Sequence, residues 1–181
     1  MAAPPVRAWA WIAGAAAAGA ALLAVALHGE RPEAGLARFE PNGVMVAVAP
    51  ERVVAVELRR AGRAWHFSRT PAGWTASPGQ APGQRDPTPL VELGLRLLHG
   101  SVPQRVMEGA EARALTLSEV GLDPPVLTVR AEIPGAAPFS VDIGGTNPQG
   151  LARYARVAGR EEVVLLNHYV ADPWQALTEA P

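Results

Sequence analysis

From Ala8 to Leu27 the chain runs for 20 residues without a charge. At about 1.5 Å of rise per residue such a helix spans roughly 30 Å, the thickness of a hydrocarbon core. Ala fills much of the run, and Ile12, Leu22, Leu23, Val25 and Leu27 are its strong inserters, worth about −0.3 to −0.6 kcal/mol each. Trp9 and Trp11 stand together at its start, where interfacial indoles are favourable. A cleavable signal peptide competes with this reading, since Arg7 precedes the run and Ala24-Val25-Ala26 is an A-x-A site. The run exceeds the about 7–15 residues of a signal h-region, which favours an uncleaved signal anchor.

The expected organisation follows from that anchor. Residues 1–7 form a short cytoplasmic tail, 8–27 a transmembrane helix, 28–42 a linker, and 43–178 an extracytoplasmic α+β domain. Basic residues flank both ends of the span, so the short leading tail with its signal-like character sets the orientation. Gly14 with Ala18, and Ala15 with Gly19, have the small-residue spacing that lets two helices approach. Pro32, Pro41 and the acidic residues between His28 and Asn42 suit a linker.

Composition removes several chemistries. The chain has no cysteine, which rules out disulfides, thiolate metal sites, cysteine nucleophiles and a lipoprotein attachment cysteine. All 16 basic residues are Arg, so Schiff-base and Walker-type lysine chemistry is absent. A formal charge of −1 gives no sign of a nucleic-acid binder.

Strand signals begin at Val44-Met45-Val46 and continue from Val53 to Arg60, with Val54, Val56 and Leu58 on one face and Arg59 on the other. Ala61-Gly62-Arg63 turns into a strand with Trp65 and Phe67 inward and His66 outward, and Pro71-Ala72-Gly73 turns again into Trp74. Residues 77–85 read as a loop that ends at Asp86-Pro87, an N-cap with proline following. The helix beyond carries Leu90, Val91, Leu93, Leu95, Leu97 and Leu98, a Glu92–Arg96 pair at i,i+4, and Gly100 as its stop. Thr116-Leu-Ser-Glu is a capping box for one helical turn ending at Gly121, and Asp123-Pro124-Pro125 forbids continuation.

In the second half Leu127, Val129, Ala131 and Ile133 alternate, and so do Phe139, Val141 and Ile143. A loop at 144–150 precedes strands around Tyr154 to Val157 and Glu162 to Leu166, and Asp172-Pro173 caps a closing helix with Trp174 and Leu177. Each half reads as hairpin, further strand, Asp-Pro and helix. The expected fold is therefore antiparallel meander sheets, each packed by a helix, in a sheet-plus-helix pseudo-repeat.

Several landmarks coincide with a known family: Gly73-Trp74, the Leu-rich helix, Val120-Gly121-Leu122-Asp123-Pro124-Pro125, Ile143-Gly144 with Asn147-Pro148, and Tyr154-Ala155-Arg156. Over residues 44–175 the chain resembles the bacterial domain-of-unknown-function family numbered 4340. The resemblance implies a membrane-tethered extracytoplasmic domain on the bacterial inner membrane, facing the periplasm or cell exterior. Such domains are often encoded beside ABC-type transport or gliding-motility components. The family carries no established catalytic residues, so none is transferred.

Candidate chemistry is sparse. The Gly144–Gly150 stretch lacks G-x-x-x-x-G-K-[ST], and a hairpin or bulge accounts for its glycines better than a phosphate cradle. His28, His66, His99 and His168 show no H-x-x-x-H or His–carboxylate spacing, so no metal site is assigned. Asp86, Asp123 and Asp172 all precede proline, and capping explains them better than acid–base work. Asp142, outward between Val141 and Ile143, is the one carboxylate to watch. No G-x-S-x-G elbow exists, and a hydrolase would need Asp142, His66 or His168 to converge in a pocket.

Trp65, Trp74 and Trp174 would serve either as core or as a sugar-stacking platform. Arg52, Arg59, Arg60, Arg63 and Arg69 gather on the first hairpin and would face an acidic partner, anionic lipid or solvent. The leading expectation is a non-enzymatic, single-pass membrane protein without cofactor or metal. Its outer domain would bind a protein partner, in a transport or envelope complex, through Arg59, Arg63 and Arg69. A periplasmic glycan- or lipid-binding module is the alternative, and a hydrolase ranks last.

Overall fold

The computed structural model describes residues 11, 14, 16–20, 42–77 and 86–179. The chain divides into two units, Met1–Phe39 and Glu40–Pro181. In the first, the described residues are helical. Among the described residues no helix is long and apolar enough to cross a membrane. Most of the expected 8–27 span lies outside them, as do the 1–7 tail, the linker up to residue 41 and residues 78–85 of the loop.

The second unit is α+β, built on one eight-stranded antiparallel sheet. Its strands are β1 (Ala55–Arg60), β2 (Arg63–Thr70), β3 (Gly73–Ala76), β4 (Arg105–Met107), β5 (Leu127–Glu132), β6 (Phe139–Thr146), β7 (Ala152–Val157) and β8 (Val163–Asn167). The helices are α1 (Thr88–Gly100), α2 (Gly109–Ala114) and α3 (Asp172–Ala176), with 3-10 turns at Pro50–Arg52 and His168–Val170. Across the sheet the order is β3-β2-β1-β5-β6-β7-β8-β4.

The two halves do not form separate sheets with a helix each. Strand β1 pairs with β5 from Ala55↔Glu132 to Arg59↔Thr128, which fuses the two meanders into a single surface. The fusion follows from matched alternation: Val56 faces Ala131 and Leu58 faces Val129, so both apolar rows lie on one side. That side packs Val91, Leu95 and Leu98 of α1 together with Trp174. Both longer-range helices thus share one face. They meet where Gly94 leaves room for the Trp174 ring; a Cβ there would stand 2.4 Å from Cζ2.

Among the described residues the opposite face is covered at one end only. There Met107, Leu122 and Val163 form a second apolar cluster with Leu115, Leu117, Val120, Tyr154 and Leu165. The segment from α2 to Val126 supplies the cover, and the β7–β8–β4 end of the sheet supplies the floor. Neither β4 nor α2 shows in the sequence pattern, because three and six residues are too few to display a period.

Several local expectations are corrected. Val44-Met45-Val46 is a turn and not a strand, because its amides serve the end of α1: Gly43 donates to the His99 carbonyl at 2.9 Å and Met45 to that of Leu98 at 3.0 Å. The 3-10 turn before β1 shifts the alternation, so Val53 is buried and Val54 exposed. Leu93 is exposed on α1, and the C-cap is Ser101, whose amide reaches the Leu97 carbonyl, one residue past the expected Gly100. Thr116 to Gly121 forms turns in place of a helix, with Leu122 N–H on the Leu117 carbonyl at 2.8 Å.

Candidate functional site

The uncovered part of the sheet lies over β2, β1, β5 and β6, and strand pairing arranges its side chains in two rows. One row runs His66, Glu57, Arg130, Ser140; the next runs Ala64, Arg59, Thr128, Asp142, then Arg156 on β7. Inward neighbours fix this orientation, since Val56, Leu58, Phe67, Val129 and Val141 are all buried. Arg59 Nε donates to Glu57 Oε1, and Thr128 Oγ1 donates to Asp142 Oδ1 at 2.8 Å. Two shallow depressions result. One of about 480 Å³ is lined by Glu57, Arg59, Arg63 and His66, and one of about 230 Å³ by Arg59, Thr128, Arg130, Ser140 and Asp142.

Of the three arginines expected to form a surface, Arg59 and Arg63 line one depression and Arg69 stands apart from them. Arg59 stands on the bare face, with its side chain 67% exposed. Arg63 pairs with Arg60 at the hairpin end, where its guanidinium lies over the Trp65 ring at 5.4 Å and it borders the first depression. Arg69 belongs to the helix-covered side. Its Nε donates to the Val53 carbonyl at 2.7 Å, Nη2 to that of Pro50 at 3.0 Å, and Nη1 to Glu92 Oε1 at 2.7 Å. The expected Glu92–Arg96 pair gives way to this contact, because Glu92 also accepts from Trp74 Nε1 at 2.7 Å.

Asp142 and His66 share the bare face but sit on strands three steps apart, about 14 Å at about 4.8 Å per step. His168 lies elsewhere, in the turn before α3, where its Nδ1 is 3.4 Å from Asp172 Oδ2. That i,i+4 pair is a His–carboxylate spacing after all, exposed on both sides. Asp172 is the first residue of α3 and makes no capping bond, whereas Asp86 accepts from the Thr88 amide at 2.9 Å. Hydrogen bonding from the Thr88 side chain and then its amide holds the Asp86 carboxyl below its ordinary range. Among the described residues no group of three or more His, Asp or Glu could hold a metal ion.

The tryptophans are core. Trp65 is 6% exposed, Trp74 2% and Trp174 0%, so they offer no platform for a sugar ring. Gly144 and Gly145 belong to strand β6, where the register shifts between Ile143 and Thr146 as a bulge. Gly145 donates to the Val120 carbonyl at 2.8 Å, and a Cβ at Gly144 would stand 2.4 Å from that oxygen. The glycines thus admit the covering segment, and no anion.

Two groups of residues were missed by sequence reasoning. Arg130 is outward because Val129 and Ala131 are inward, a parity already present in the pattern. Arg153 has the parity of Leu166 and turns toward the helices, where its Nη1 reaches the Gly144 carbonyl at 3.4 Å and its Nε is buried without a partner. Comparison with protein-family models, with curated proteins and with solved structures gives no match.

Proposed function

We propose that this chain is a membrane-tethered binding module whose bare sheet face docks a protein partner, without catalysis. The observation that carries the reading is the uneven covering of the sheet. Among the described residues one face is closed by α1 and α3, the other is closed only over β7, β8 and β4, and the rest presents ordered charge. Opposite charges in fixed strand register favour one partner and one orientation more than they add affinity.

Tethering through 8–27, an extracytoplasmic domain and a place in a bacterial transport or envelope complex extend this proposal. They rest on the uncharged 20-residue run and on the resemblance to family 4340. The surface is revised accordingly: Arg59 stays in it, Arg130 joins it, and Arg69 leaves it for a structural role. The test is capture of membrane partners by the full chain, compared with Arg59→Glu combined with Arg130→Glu. Loss of one specific partner in the double variant supports the reading. Identical capture by both chains contradicts it.

A further inference from the structure

Where the covering segment stops, a cleft of about 370 Å³ opens between α2 and the β7–β8 turn. Its floor is apolar: buried Ala112 and Val163, with Leu115 and Leu117 half-buried from the second cluster. Its rim is cationic, carrying Arg113 from α2, Arg156 from β7 and Arg160 from the turn, against one carboxylate, Glu161. Arg160 is engaged with Glu162 at 3.3 Å. Arg113 and Arg156 take part in no hydrogen bond or ion pair among the described residues. Arg156 is paired in register with Asp142, yet that carboxylate is turned to Thr128.

The geometry points to a binding site for a small amphiphilic oxyanion, a phosphate or carboxylate carried on a short apolar stem. Guanidinium groups offer planar pairs of N–H donors that match both oxyanions, and two of them here lack an anion. The Ala112, Leu115 and Leu117 surface beside them takes a stem of a few methylenes out of water. Neither part suffices alone: arginines on an exposed rim hold a free ion weakly, and the apolar floor is small. Their adjacency is the recognition element. The cleft meets the docking rows only at Arg156, and its apolar floor and Arg113 lie outside them, so this inference does not rest on the proposed function.

The experiment follows alanine and leucine methyl signals of the full chain in phosphatidylcholine nanodiscs. Hexyl phosphate and hexanoate are titrated against inorganic phosphate and hexanol. The expected result is a saturable shift at Ala112, Leu115 and Leu117 with hexyl phosphate or hexanoate, and at least about ten-fold weaker binding of inorganic phosphate and hexanol. Arg113→Gln and Arg156→Gln each weaken binding about ten-fold while signals of the helix-covered core stay in place. The same shifts produced by discs containing phosphatidic acid, with no added ligand, assign the anion to a lipid; shifts only with soluble ligand assign it to a free molecule. Absence of a saturable shift, equal binding of hexanol, or binding unaffected by the double Arg113→Gln, Arg156→Gln variant overturns the inference.

Discussion

Arg69 Nη1 and Glu92 Oε1 lie 2.7 Å apart, joining strand β2 to helix α1 across the edge of the core. The same carboxylate oxygen takes the Trp74 indole N–H, and the Arg69 guanidinium covers that indole at 4.6 Å. With its bonds to the carbonyls of Val53 and Pro50, this arginine ties together a 3-10 turn, two strands and a helix.

Arg69→Ala is expected to cost about 2–3 kcal/mol, because Glu92 and two carbonyls lose a partner in a half-buried place. Arg69→Lys recovers only part, since an ammonium cannot reach three directions and stack at once. Urea unfolding of both variants checks this. A loss under about 0.5 kcal/mol for the alanine variant would show the contacts to be incidental.

Gly94→Ala places a methyl group 2.4 Å from the Trp174 ring and 2.5 Å from its Cε2. The helices have to part, at about 2–3 kcal/mol. A double-mutant cycle with Trp174→Phe should show coupling between the two positions, as the smaller ring relieves the clash. Additive effects would mean that α1 and α3 do not meet there.

Gly144→Ala meets the Val120 carbonyl at 2.4 Å and should lift the covering segment from the sheet. The Gly145 amide, which donates to that carbonyl, should then exchange with solvent faster, while amides of β1 and β5 keep their protection. Uniform exchange across the sheet would instead signal global destabilisation.

Asp86 titrates below its ordinary range in the folded chain, through the Thr88 side chain and then the Thr88 amide. A lowered value means that the folded state favours the ionised form. Its contribution is therefore complete above the ordinary aspartate value of about 3.9 and vanishes as pH falls through the folded value. The stability difference between the natural chain and Asp86→Asn should shrink on acidification over that window. A difference that stays flat through it would remove the helix start as its source.

Much of the sheet was legible in the sequence because strand parity is strict. Val129 and Ala131 inward oblige Thr128 and Arg130 outward, and Trp65 with Phe67 inward oblige His66 outward. What the pattern did not show was which neighbour each edge would find, so the β1–β5 pairing that makes one sheet was invisible. Arg69 illustrates the same limit. Its parity with Phe67 places it inward, but its charge suggested solvent; Glu92, 23 residues on, and the carbonyls of Val53 and Pro50 satisfy the inward guanidinium. The Arg113–Arg156 cleft needed a helix too short to have a period.

On the proposed reading the partner docks on the face over β1, β5 and β6. A photo-crosslinking residue at Ser140, the register partner of Arg130, tests it in native membranes against the same probe at Arg96 on α1. One discrete adduct from position 140, lost when Arg59→Glu is added, is the predicted result. No adduct at 140, or the same adduct from position 96, would rule out docking on this face.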